Sequence, residues 1–116
     1  MTLQSPAPCY AGAEMWARLT ALEPFDVDII GINCATGPKE MNGAVRYLGL
    51  NSSKEISVLP NAGLPHNEGG HAVYKLSTTG AGAEYHKHFI VDYGVRIVGG
   101  CCGTTPEHLK AVVDAV

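Results

Sequence analysis

Charge is scarce in this sequence. Asp, Glu, Lys and Arg make up 16% of its 116 residues, where about 25% is usual for a globular domain. With 46% apolar residues beside it, that scarcity excludes a disordered chain or a coiled coil and implies that much of the surface is to be covered. The eight Lys and Arg are scattered singly and the net charge is −3. No basic stripe exists to follow a phosphate backbone, so nucleic acid is not an expected partner. Long apolar runs are missing too. The stretch 27–32 falls far short of the roughly 20 residues that a membrane span needs, and the N-terminus lacks the basic start and apolar stretch of a signal peptide. The expectation is one soluble cytoplasmic domain with no membrane partner.

Glycine and proline are plentiful. Their 14 and 7 copies take about 18% of the chain, against roughly 12% usually, with no low-complexity tract, so particular turns must need them. There are four cysteines, Cys9, Cys34, Cys101 and Cys102. Bridging the adjacent pair would be strained, because neighbouring Cα atoms lie about 3.8 Å apart and disulfides prefer about 4.4–6.8 Å. In a reducing compartment, reduced thiols or metal ligands are the default.

The pattern alternates helix and strand. Met15, Leu19 and Leu22 share a helical face closed by Pro24, and Trp16 is expected to anchor that helix on a sheet. A strand over 27–32 ends at Asn33-Cys34. Thr36-Gly37-Pro38 opens a second helix carrying Met41, Ala44, Val45 and Leu48, with Gly49 as its stop. A strand over 55–59 follows. Residues 64–82 show no period and are expected to form a long loop. A helix over 83–93, with Tyr85, Phe89 and Tyr93 on one face, leads to a third strand over 95–98. Thr104 and Glu107 are spaced as a capping box before a last helix with Leu109, Val112, Val113 and Val116 as its stripe. Three apolar strands separated by amphipathic helices imply an α/β fold with a parallel sheet.

In such folds chemistry collects at the C-terminal ends of the strands. Here those ends carry Asn33-Cys34, Asn61 and Cys101-Cys102. Neighbouring strands would bring three thiols and a carboxamide to one rim. Three thiolates suit zinc, and three protein ligands leave a reactive position open. The competing interpretation is that the cysteines are small buried hydrophobes.

Three motifs narrow the choice: Gly31-Ile32-Asn33-Cys34-Ala35-Thr36-Gly37-Pro38, Leu59-Pro60-Asn61-Ala62-Gly63-Leu64-Pro65 and Gly99-Gly100-Cys101-Cys102-Gly103-Thr104-Thr105-Pro106-Glu107-His108. Together they resemble the homocysteine S-methyltransferase family, closest to the homocysteine-binding domain of its cobalamin-dependent members. The resemblance covers residues 13–116, its C-terminal portion, and leaves 1–12 as an unmatched N-terminal segment. It implies the last three parallel strands of a (β/α)8 TIM barrel and their helices. It also implies one Zn2+ held by Cys34, Cys101 and Cys102, with the homocysteine sulfur as fourth ligand. The activity implied is methyl transfer to the homocysteine thiolate, giving methionine. Asn61 then lies at the rim as a substrate-binding residue, either reaching the open metal position or only securing the turn at 60–63. Cobalamin or another methyl donor would bind elsewhere. A chain this short cannot close a barrel. The alternative is a non-catalytic zinc-binding fragment or split subunit, and self-association or a complementary barrel half is the expected partner.

The remaining candidates carry less. His86 and His88, at i and i+2, are assigned to solvent-facing or packing roles and His108 to the surface. His66 and His71 lie in the long loop near Asn61, where one would be placed to touch substrate. The glycines at 99, 100 and 103 lack the full dinucleotide fingerprint, and Cys9 precedes the matched region.

Overall fold

The computed structural model describes residues 2–4, 11–34, 36–75 and 80–116; Cys9 lies outside them. In chain order the elements are β1 (Thr2–Gln4), α1 (Ala11–Leu22), β2 (Ile29–Asn33), α2 (Pro38–Asn51), β3 (Glu55–Leu59), β4 (Pro65–Glu68), β5 (His71–Tyr74), α3 (Ala81–Tyr93), β6 (Ile97–Val98) and α4 (Pro106–Ala115). Four parallel strands form one sheet in the order β1-β2-β3-β6. The sequence pattern predicted three; β1, pairing Thr2–Gln4 with Gly31–Asn33, is too short to show a period of its own. The α/β class and the parallel pairing agree with expectation, and the arrangement is compatible with part of a barrel. No helix among the described residues is long and apolar enough to cross a membrane.

The helices line up in sequence order, each against the next, and cover one face of the sheet. Ile30 and Ile32 of β2 register with Ile56 and Val58 of β3, and all four are buried in the core with Met41, Val45, Leu48 and Phe89. Strand residues alternate in direction, so Ile29, Gly31, Asn33, Ser57 and Leu59 point to the other face. Trp16 does not anchor α1; it is 60% exposed, while Met15 and Leu19 are buried. One step past Met15, it has turned about 100° off the Met15–Leu19 stripe.

Gly49 does not stop α2, which continues to Asn51. It is the crossing point with α3: a Cβ there would meet the Tyr93 carbonyl oxygen at 2.4 Å. The last helix starts one residue later than the pattern suggested. Pro106, lacking an N–H, takes the first helical position, which makes Thr105 the N-cap. His108 then replaces Glu107 as the capping partner, its Nδ1 accepting the Thr105 N–H at 3.1 Å. Only Val112 of the expected stripe is buried; Leu109, Val113 and Val116 are exposed.

Residues 64–82 are not simply loop. β4 and β5 form an antiparallel hairpin turning at Gly69-Gly70, with φ of 60° and 83°. Two successive left-handed residues make the tight turn whose twist suits a hairpin. Its strand residues are mostly exposed, so no apolar alternation marks them in the sequence.

Candidate metal centre

The C-terminal ends of β2, β3 and β6 open onto one rim, and the segment after β3 splints the other two. The Cys34 N–H donates to the Leu59 carbonyl at 3.0 Å, and the Asn61 N–H to the Thr36 carbonyl at 3.0 Å. On the other side, the Cys101 N–H donates to the Pro60 carbonyl at 2.8 Å and the Ala62 N–H to the Cys102 carbonyl at 2.9 Å. Cysteines 67 positions apart in sequence are thus fixed by backbone bonds alone.

Cys34 follows directly on β2 with φ of 60°. A side chain is strained in this left-handed region, and such strain gathers at functional sites. Here it turns the chain sharply enough to keep the thiol on the rim. Cys34 Sγ lies 3.7 Å from Cys102 Sγ, and Cys102 Sγ lies 4.0 Å from Cys101 Sγ. All three sulfurs fall within 4.8 Å of one another. A zinc–sulfur bond of about 2.3 Å in tetrahedral geometry puts neighbouring sulfurs about 3.8 Å apart. The donor set is soft, the spacing nearly tetrahedral, and Cys102 is exposed, so the sulfur triangle is open on one side. These residues fit a zinc ion.

Burial pushes the Cys101 thiol up to about 11, and the neighbouring Cys34 and Cys102 thiols add to this, while the Cys102 backbone N–H opposes it. Three thiolates so close would repel one another. A bound dication inverts that preference and deprotonates its thiol ligands.

Asn61 is buried, and its Oδ1 accepts the Cys102 backbone N–H at 3.1 Å. The side chain therefore reaches across to the cysteine loop as well as belonging to its own turn. His66 and His71 are exposed on the hairpin, and neither belongs to the three-cysteine group found among the described residues. His88 pairs with Asp92 on the surface of α3. His108 is half-buried and serves the start of α4.

Two residues at the rim went unread in the sequence. His86 is buried, one ring nitrogen 2.7 Å from the Gly82 carbonyl and the other 2.8 Å from that of Gly99. It ties α3 to the loop that carries the paired cysteines. Thr36 is also buried, and its Oγ1 has no hydrogen-bond partner among the described residues. No local pattern announces either one, since both depend on what the fold brings near.

Comparison with known proteins agrees with this geometry. The chain is 45% identical to the methionine synthase of Mycobacterium tuberculosis and 44% identical to that of Mycobacterium leprae. In each case the match takes in the whole chain and 10% of the relative, so the chain spans about a tenth of the length of these proteins. The family model described as Homocysteine S-methyltransferase matches residues 1–116, and the chain belongs to that family.

Proposed function

We propose that this chain is the metal-bearing part of a zinc-dependent homocysteine S-methyltransferase, and that it works as the last strands of a (β/α)8 barrel in the cytoplasm. The observation that carries this is the triangle of Cys34, Cys101 and Cys102 at the strand ends, within a chain of this family. Zinc held there would supply Lewis acidity, lowering the pKa of the homocysteine thiol and fixing its sulfur before the methyl donor.

The chain's own residues do the rest of what is available here. The strained turn at Cys34 and the bonds from the Pro60–Ala62 backbone hold the three sulfurs in place, so little reorganisation accompanies loading. Asn61 fixes the Cys102 peptide and borders the open side, where it is positioned to contact homocysteine. Contacts to the substrate's amino and carboxylate groups, and the methyl donor, are assigned to strands and domains outside this chain. The net reaction transfers a methyl group to the homocysteine sulfur, which loses its proton and becomes the thioether of methionine.

Metal analysis of the purified chain is expected to find about one zinc per chain, lost in Cys34→Ser and Cys101→Ser. X-ray absorption at the zinc edge should show a sulfur-rich shell that gains a sulfur on adding homocysteine. Zinc content unchanged in both variants would refute the site. Methyl transfer is then assayed with and without a chain supplying the remaining barrel strands. Zinc binding without transfer in either case would leave a metal-binding module rather than an enzyme part.

A further inference from the structure

Tyr74 ends β5, the second strand of the exposed hairpin, far in sequence from either cysteine loop. The fold nevertheless lays its ring on the peptide that follows the paired cysteines. A Cβ built on Gly103 would come within 2.4 Å of Tyr74 Cβ and Cγ and within 2.6 Å of its Cδ2. Gly103 has φ of 76° and no side chain, and both properties are needed for the ring to sit there. The hairpin is thereby pinned over the metal rim. The Tyr74 side chain hydrogen-bonds Cys102, and Cys34 and Cys101 are near enough for their charges to be felt by the phenol.

We propose that the Tyr74 hydroxyl is an outer-shell donor to the Cys102 thiolate, a positioning residue that orients this ligand and moderates its charge. A phenol O–H donates, and a thiolate lying at hydrogen-bond distance accepts. Desolvation first, and then the hydrogen bond and charges of the cysteines, hold the Tyr74 phenol above its usual range, which keeps the proton on oxygen as a donor requires. Such a bond spreads the negative charge of a three-thiolate site. Partners of this kind commonly alter metal affinity about 10–100-fold when removed. The inference rests on the zinc reading of the three cysteines and adds to it a residue on another element. It also gives the hairpin a purpose: its strands bury little, yet one of them delivers a hydroxyl to the site.

The test uses cobalt(II) as a spectroscopic stand-in, on the full chain and its Tyr74→Phe variant. Phenylalanine keeps the ring on Gly103 and removes only the hydroxyl. Competition against a chromophoric chelator should show cobalt binding about tenfold weaker in the variant. The sulfur-to-cobalt charge-transfer band should move to lower energy, because a thiolate that has lost a donor holds its electrons less tightly. Circular dichroism of the metal-free forms should coincide. Equal affinity and an unmoved band, with cobalt bound through cysteine in both, would overturn the role of Tyr74 and leave the metal site standing. Weaker binding with an unmoved band would assign Tyr74 to packing and overturn the donor role as well. A wild-type chain with no cobalt–thiolate band would overturn the metal reading, and this inference with it.

Discussion

Asn61 Oδ1 accepts the backbone N–H of Cys102 at 3.1 Å, across 41 positions of sequence. The bond joins the end of the central strand to the one cysteine that faces solvent. Removing the carboxamide in Asn61→Ala leaves the Cys102 N–H without its protein partner, which costs about 1 kcal/mol where water can partly replace it. Urea unfolding should record that loss. Zinc affinity, measured by chelator competition, should fall with it, whereas Asn61→Asp keeps an acceptor and should retain most of both. Unaltered stability and affinity in Asn61→Ala would reduce Asn61 to a residue of its own turn.

Cys34 separates ligation from backbone strain. Its φ of 60° suits glycine and costs an alanine about 1 kcal/mol or more. Cys34→Gly should therefore be about 1 kcal/mol more stable than Cys34→Ala in the metal-free state, while both lose zinc. Equal stability of the two variants would show that the turn relaxes once the cysteine is gone.

How much of this was legible beforehand depended on how local each cause is. The spacing of Met41, Ala44, Val45 and Leu48 marks α2 because a helix writes its buried face into consecutive turns, and all four are buried. The cysteine triad was readable because strand ends in a parallel sheet share a rim, and the sulfurs do meet there. The β4–β5 hairpin was not, since its residues are exposed and carry no apolar alternation. Gly49 misled because a glycine required for close helix approach looks the same, in sequence, as one that ends a helix. The Tyr74–Gly103 contact depends on a turn at one place and a bare Cα at another, a relation that no window of sequence contains. Ile30, Ile32 and Val58 were expected to lack cover on the open side of the sheet. The register puts them all beneath the helices instead.

Thr36 offers a test on substrate rather than metal. Its buried Oγ1 has no partner among the described residues, and an unmet buried hydroxyl commonly costs about 1–3 kcal/mol. Thr36→Val keeps the shape and removes the group, so thermal unfolding should show an equal or higher midpoint. If the hydroxyl instead awaits homocysteine, calorimetric titration of the zinc-loaded protein will show weaker binding in the same variant. A clear loss of stability would mean that the hydroxyl is already satisfied within the fold.

The Cys101 thiol sets a pH dependence whose sign follows from its environment. Folded and without metal it holds its proton up to about pH 11; an unfolded cysteine releases it near 8.5. Between those values the folded chain binds more protons than the unfolded one, so stability declines as pH rises. Below about 8.5 both forms are protonated and the thiol contributes no slope. Denaturation of the chelator-treated chain from about pH 7 to 11 should show this decline, flattened in Cys101→Ala. Zinc uptake has the opposite trend. Loading displaces thiol protons, so affinity should climb with pH around neutrality.

The sheet itself predicts association. Its helix-free face carries Ile29 at 37% and Ile97 at 41% exposure, and β1 and β6 are its edges among the described residues. Open parallel edges accept further strands, and parallel sheets are normally covered on both faces. Along α4, Leu109, Val113 and Val116 add a second exposed apolar stripe. At about 25 cal/mol per Å², covering a few hundred Å² of such surface yields several kcal/mol, comparable to the whole stability of a small domain. The isolated chain should self-associate at tens of micromolar, and a chain supplying the neighbouring strands should disperse it into a defined complex. Replacing Ile29 and Ile97 by Thr, a strand-compatible polar residue, should weaken self-association without unfolding the core on the opposite face. Light scattering that finds a monodisperse monomer of the unmodified chain, with one cooperative thermal transition, would show that this face is stable in water.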